Sequence, residues 1–232
     1  MFIPSIHQYL RNARRRPGPR DLNGARGPKR YERMEQFPLP EPLELNISLA
    51  DALKKRTSQR TFGITPLTPT DISSLLFYGA HKSEAHRPYP SGGGYYPIEL
   101  YVITLHTNEQ EGNVLHYEPD THILRRLWNL PKESDARTFI TMNEGWDETV
   151  PSALIVLTAV WERTQKTYKD FAYILSLLEA GHLAQNILLV SGALSLNACP
   201  LGGFNDEKII ELLDLNPLQE QPLYLLTVGN PL

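Results

Sequence analysis

Three stretches of the sequence predict an α+β fold, a central and mostly antiparallel sheet surrounded by helices. Residues 168–196 contain no proline and space Phe171, Ile174, Leu175, Leu178, Leu183, Ile187, Leu188 and Val190 as the buried stripe of one long helix. Residues 153–160 are short, branched and apolar throughout, which suits a fully buried strand. Residues 113–117 and 122–127 flank Glu118-Pro119-Asp120 as the two arms of a hairpin.

The other elements follow in chain order. Residues 1–45, rich in Arg, Pro and Gly, have no sustained period, so an extended basic arm with room for a short helix at 6–15 precedes a domain at 46–232. Pro38, Pro40 and Pro42 keep the end of the arm out of helix. A helix fits 48–57 with Ser48 as N-cap. A second begins at Thr70-Asp71 and ends at 78–80, where Gly79 suits a C-terminal cap. A glycine-rich loop then leads to a strand at 99–105. A weak helix is expected at 137–144, a loop at 200–204, a short helix at 206–213 and a last strand at 223–228.

The totals narrow the function classes. At 232 residues, 41% hydrophobic and 21% charged, the chain can bury a full core without staples, and its single cysteine, Cys199, leaves no internal disulfide framework. A reducing, cytoplasmic setting is expected. No apolar run reads as a signal peptide or a membrane span, so no membrane partner is expected. The net charge of −3 hides an asymmetry: residues 1–33 hold nine of the 23 basic groups and two of the 26 acidic ones, leaving a body near −10. Such an arm suits docking onto its own body, a partner subunit or an acidic partner. Nucleic acid is disfavoured, because the aromatic-basic interleaving of an RNA-binding sheet is absent.

Four places carry more polar chemistry than folding requires. Arg56-Thr-Ser58-Gln-Arg60 can cradle a phosphate, although arginines at a helix end also complement its dipole. Pro90-Ser91-Gly92-Gly93-Gly94 lets backbone amides approach a flat or anionic ligand, or is simply a flexible loop. On the long helix Glu179, His182, Gln185 and Asn186 form a polar notch that needs either internal partners or a ligand. Gly202-Gly203-Phe204 offers further amides. No third ligand stands at metal spacing beside His182, so no metal is expected.

These motifs occur in order and together with Cys199-Pro-Leu-Gly-Gly-Phe-Asn-Asp206 and Val228-Gly-Asn-Pro231, and in this they resemble the nitroreductase-like flavoproteins, specifically the SagB-type branch that includes azoline dehydrogenases of thiazole/oxazole-modified peptide pathways. The resemblance covers essentially the whole chain, the arm included. It implies an FMN-binding homodimer with a long central helix at its interface and flavin sites shared between subunits. Arg56 and Ser58 would hold the FMN phosphate, and Arg60 the ribityl chain or pyrimidine edge. Pro90, Ser91 and Gly92 would reach the ring from the partner subunit, while His182, Asn186, Gly202 and Gly203 would line it. Gly94 stands where other nitroreductases place asparagine.

One departure concerns the chemistry. A Lys-Tyr pair of the branch is matched here by Thr167-Tyr168, with Lys166 one residue out of register. The implied activity is FMN-dependent dehydrogenation of a peptide or peptide-like intermediate in natural-product biosynthesis, azoline to azole. Tyr168, with Lys166, would handle the proton. The alternatives are an NAD(P)H-dependent nitro or quinone reductase, and a catalytically weakened flavin- or peptide-binding subunit of a synthetase complex.

Overall fold

The computed structural model describes residues 8, 9, 11, 12, 14, 27–84, 86–141 and 149–232. In chain order these form β1 (Gln36–Pro38), α1 (Leu49–Lys55), α2 (Pro69–Ala80), β2 (Ile98–Thr104), β3 (Asn113–Glu118), β4 (Ile123–Asn129) and α3 (Ala136–Phe139). Then come β5 (Ala153–Val160), α4 (Glu162–Tyr168), α5 (Phe171–Ala193), β6 (Asn197–Leu201), α6 (Asp206–Leu212) and β7 (Glu220–Gly229). The strands make one sheet in the order β1-β4-β3-β2-β5-β7-β6, and every adjacent pair is antiparallel. β5 lies between β2 and β7, which explains its unbroken apolar run.

The sheet separates two cores. One face carries Leu100, Val102, Ile155, Leu157 and Leu226 against α2 and α5, where Leu76, Leu183 and Ile187 are fully enclosed. The other carries Tyr101, Ile103, Leu154, Val156 and Leu225 against α3 and α6, with Phe139 and Ile209 at its centre. α5 is 23 residues long and apolar enough to span a membrane by length and composition, yet half of its apolar window is buried within the molecule. It is a core helix, with one side left open.

Several expected boundaries change, each for a local reason. The long helix does not run unbroken from Tyr168: Lys169 takes φ +49, and the chain turns between α4 and α5 before Phe171. α2 is capped by Thr68 rather than Thr70, with Pro69 in the first turn and Asp71 closing a capping box. Gly79 is no cap, since α2 continues to Ala80 and His81 ends it. Instead Gly79 lets α2 and α5 touch, because a Cβ there would stand 2.6 Å from Ile187 Cγ1. Gly79→Val is expected to lose about 2 kcal/mol by overpacking this contact, read as a lower urea midpoint at unchanged slope. An unchanged midpoint would show that the helices can separate freely.

Residues 197–201 form β6, where no strand was expected, and β1 adds an edge strand from within the arm. Of the helix expected at 137–144 only α3 is present at its start; residues 142–148 lie outside the described set. The arm is fastened to the body at several points. His122, at φ +54, bonds through Nδ1 to the Tyr117 hydroxyl at 2.8 Å and through Nε2 to Ser73 Oγ at 2.9 Å. Ser73 in turn donates to the Pro40 carbonyl of the arm at 2.5 Å. Tyr9 donates to Asp170 at 2.5 Å, and the Arg14 guanidinium lies 5.2 Å from the Phe171 ring centre, so the arm also touches the start of α5.

Candidate active site

The candidate residues fall into two groups at opposite ends of α5. At its C-terminal end α1 packs alongside, and a Cβ at Gly192 would be only 3.5 Å from the Arg56 backbone. Arg56 caps α1 through its own amide to Ala52. The segment after it is held by the Gln59 amide on the Ala198 carbonyl of β6 (2.9 Å) and by the Gly63 amide on Asn230 (2.8 Å). Gly63 has no room for a side chain, since a Cβ would meet the Pro231 carbonyl at 2.2 Å. These ties leave Ser58 and Arg60 exposed and Arg56 half-buried. The Arg60 charge reaches the buried Cys199 thiol, though burial prevails and raises that thiol. β6 continues into Gly202 and Gly203, both exposed and with open space around them.

The second group gathers at the first half of α5. Gly92–Gly94 form one 3-10 turn in which Gly93 and Gly94 have φ +66 and +72, conformations that glycine adopts without strain. Leu175 of α5 closes against Gly92, and a Cβ at Gly93 would stand 2.9 Å from the Tyr168 hydroxyl. The half-buried Tyr168 therefore sits directly against the glycine turn, edge-on to Tyr95 at 6.0 Å. Ser91 Oγ accepts the Tyr96 amide at 2.8 Å, and the loop is held again by Asn186 Nδ2 on the Pro88 carbonyl at 2.9 Å.

α4 presents its residues unequally. Thr167, in the position of the expected lysine, is buried with its hydroxyl 2.9 Å from that of Tyr95, while Lys166 is on the exposed side of the helix. Of the notch, His182 and Gln185 are exposed and Asn186 half-buried, whereas Glu179 is only 2% exposed and turned inward. Its Oε1 has no hydrogen-bond partner. Burial pushes the Glu179 carboxyl up to about 7, against the hydrogen bond from Ser91 and the charges of Arg87 and Arg163.

Behind the glycine loop lies a buried ionic network that the sequence did not announce. Glu99 of β2 bonds to His116 Nε2 at 2.6 Å, to Arg163 of α4 and to the Lys29 amide at 3.0 Å. Burial opposes its charge, but His116, Arg163 and the Lys29 amide outweigh burial and hold the carboxyl down to about 2. Arg163 also donates to the Tyr96 carbonyl at 2.9 Å, so the network braces the glycine loop. Lys29 of the arm reaches Glu220 at 2.5 Å and the Tyr101 hydroxyl at 3.0 Å. The only hint in the sequence was Glu99 and Tyr101 alternating with apolar residues inside a strand.

Gly192 lies thirteen positions after Glu179 along α5, about 20 Å at helical rise. The Arg56–Arg60 cradle and the glycine loop are thus the two ends of one chain's surface. Cavities of about 700 and 540 Å³ elsewhere, one by α3 and α6 and one by Lys29 and Arg163, contain none of the candidate residues.

A profile of the nitroreductase family matches residues 53–230. Among curated proteins, MJ1384 of Methanocaldococcus jannaschii, named for the same family, is 32% identical over 185 residues, covering 79% of this chain and 91% of its own. The microcin B17-processing protein McbC of Escherichia coli is 27% identical over 168 residues, 68% of this chain and 61% of McbC. Among solved structures, one named as a nitroreductase from Ralstonia eutropha JMP134 superposes with TM-score 0.72 at 24% identity, covering 94% of this chain and 98% of that one. The E. coli microcin synthetase McbBCD complex with truncated pro-MccB17 bound gives TM-score 0.67 at 25% identity, covering 84% and 76%.

Proposed function

The chain belongs to the nitroreductase family and is an oxidoreductase related to McbC, and from this premise we propose that it uses FMN to dehydrogenate a peptide or peptide-like intermediate, azoline to azole, as a homodimer. The observation that carries the reading is the contact between the Tyr168 hydroxyl and the glycine turn. It sets one protic side chain beside a turn whose last glycine, Gly94, has open space where a side chain would stand, as a flat ring requires.

The residues present suit a flavin. Gly94, Gly202 and Gly203 have open space where a side chain would stand, Glu179 keeps an unpaired buried oxygen, and Arg56, Ser58 and Arg60 offer donors to a phosphate. A flavin supplies hydride acceptance when bound. The chain's own part is to hold the phosphate at Arg56, Ser58 and Arg60, and to pack Pro90, Ser91 and Gly92 on the ring. Tyr168 would relay the proton, accepting it on its oxygen as its own hydroxyl proton passes to solvent, and His182 and Asn186 would edge the site. Exposed apolar residues support a second copy: Tyr173, Leu177 and Leu178 on α5 (48, 37 and 53% exposed) and Leu49 and Leu53 on α1. Pairing copies through this face would bring the cradle of one protomer to the glycine loop of its partner across a distance that one chain does not close.

McbC's presence in a synthetase complex with a peptide precursor supports a peptide substrate and further subunits here. The test is incubation of an azoline-containing peptide with the FMN-loaded protein, followed by mass measurement of the loss of two hydrogens. Tyr168→Phe is expected to keep the flavin absorbance and slow turnover by about 10²–10⁴-fold, the usual worth of a positioned acid-base group. Full activity in that variant would remove Tyr168 from the proton step. The buried Thr167 hydroxyl and the outward Lys166 favour, as a second reading, a weakened subunit or an NAD(P)H-dependent nitro or quinone reductase. Anaerobic bleaching by NADPH distinguishes the reductase.

A further inference from the structure

Tyr96 closes the loop that Ser91 opens. Its amide donates to Ser91 Oγ at 2.8 Å, so the two residues are joined across Gly92–Gly94, and its carbonyl accepts from Arg163 Nη1 at 2.9 Å. With both bonds made, its backbone lies in the left-handed region at φ +47. That conformation is uncommon for a residue with a bulky side chain. Pro97 opposes it a second time, since a proline drives the residue before it toward extended backbone. Among the described residues no other non-glycine residue of positive φ precedes a proline. Glycine stands at 92, 93 and 94, yet position 96, where glycine would cost least, carries tyrosine.

The side chain shows what tyrosine adds. The Arg87 guanidinium lies over its ring, 4.7 Å from the centre, and Tyr89 meets the ring edge-on at 5.7 Å. Arg87 is itself tied to the Tyr89 hydroxyl at 3.0 Å, and both Arg87 and Arg163 are at most 5% exposed. One buried guanidinium thus holds the Tyr96 carbonyl and another covers its ring. The Val160 amide donates to the Pro97 carbonyl at 2.9 Å and fixes the chain beyond. An unfavourable backbone held from several sides is the arrangement that keeps a site in one shape. Resting on the flavin reading above, we propose that Tyr96 is a positioning residue: its left-handed backbone, gripped by Arg87, Tyr89 and Arg163, keeps Ser91 tied to residue 96 and the glycine turn closed in the shape that receives the flavin ring. With residue 96 extended, its amide turns away from Ser91 and the turn opens.

The experiment measures FMN affinity of the full chain by flavin fluorescence, and the urea midpoint of the FMN-free protein, for wild type, Tyr96→Phe, Tyr96→Gly, Tyr96→Asn and Tyr96→Ala. Tyr96→Phe keeps the ring that Arg87 and Tyr89 hold and is expected to bind FMN within about twofold of wild type. The other three lose the ring and bind more weakly, but not equally. Glycine enters the left-handed region freely and asparagine tolerates it, whereas alanine resists it. The closed fraction of the free loop, and with it the affinity, is therefore expected to be about fivefold lower in Tyr96→Ala than in Tyr96→Gly, with Tyr96→Asn nearer to glycine. If Tyr96→Gly does not fold, the asparagine and alanine variants make the same comparison.

Equal FMN affinities in the glycine, asparagine and alanine variants, wherever their urea midpoints fall, overturn the positioning role and leave the flavin reading intact; the conformation of residue 96 would then serve packing alone. An affinity of Tyr96→Phe as low as that of Tyr96→Ala overturns the grip through the ring. Failure of wild type to take up FMN overturns the flavin reading and this inference with it.

Discussion

Glu99→Ala destabilises the protein by about 3–5 kcal/mol, the expected loss when one member of a buried ion pair is removed and the others stay. Arg163, His116 and the Lys29 amide lose their shared acceptor in the interior between β2, β3 and α4. The loss is read as a drop in the urea midpoint, and a change below about 1 kcal/mol would mean that the network relaxes around the gap. The consequence extends to the site, because Arg163 also holds the Tyr96 carbonyl behind the glycine loop.

The same carboxylate sets an acid limit. Its pKa falls from an ordinary 4.5 to about 2 on folding, so its contribution, about 3 kcal/mol, is complete above pH 4.5 and is lost as pH falls toward 2. Glu179 works in the opposite sense, since a carboxyl raised to about 7 favours the fold most below pH 4.5 and loses that advantage as pH climbs to 7. Urea midpoints of wild type and Glu99→Gln across pH 2–6 should therefore converge at the acid end.

Two variants that each lose flavin alone should recover it in mixture. Arg56→Ala with Arg60→Ala empties the cradle, and Gly93→Val closes the turn by forcing a side chain onto Tyr95 and Tyr168 at a residue of φ +66. If a flavin takes its phosphate grip from one protomer and its ring contact from the partner, a mixed dimer has one intact site and one doubly damaged one. Random assortment in a two-fold dimer makes half the dimers mixed, so co-expression restores about one quarter of wild-type flavin content. No restoration, with both variants folded, would place each flavin within a single chain.

Much of this was legible before folding because the relevant signals are local. β5 and α1 declare themselves by periodicity and caps, and Arg56, Ser58, Ser91 and Gly92 by residue type. What escaped depends on contacts far apart in sequence. The turn at Lys169 breaks no pattern that a helical period would register, since Tyr168 and Phe171 both fit one. Gly79 reads as a cap until Ile187, 108 residues later, is seen against it. Glu179 looked like one polar residue among four in a notch, and only burial separates it from the exposed His182. The Glu99 network joins β2, β3, α4 and the arm, and no window of sequence contains them all.

The fastening of the arm at Ser73 has a chemical consequence. A serine 2.9 Å from a histidine nitrogen, with a hydroxyl on the far nitrogen, has the outline of a nucleophile and its base. Proton direction cancels it. Ser73 gives its proton to the Pro40 carbonyl, so Nε2 must be the protonated nitrogen and Nδ1 the acceptor from Tyr117. The imidazole is thus locked in the tautomer that cannot deprotonate the serine. Burial, together with the neighbouring His81, keeps the ring neutral by lowering its pKa to about 4. The three side chains form a one-way chain of donors ending in the arm's backbone, a latch whose own hydrogen bonding leaves it chemically mute.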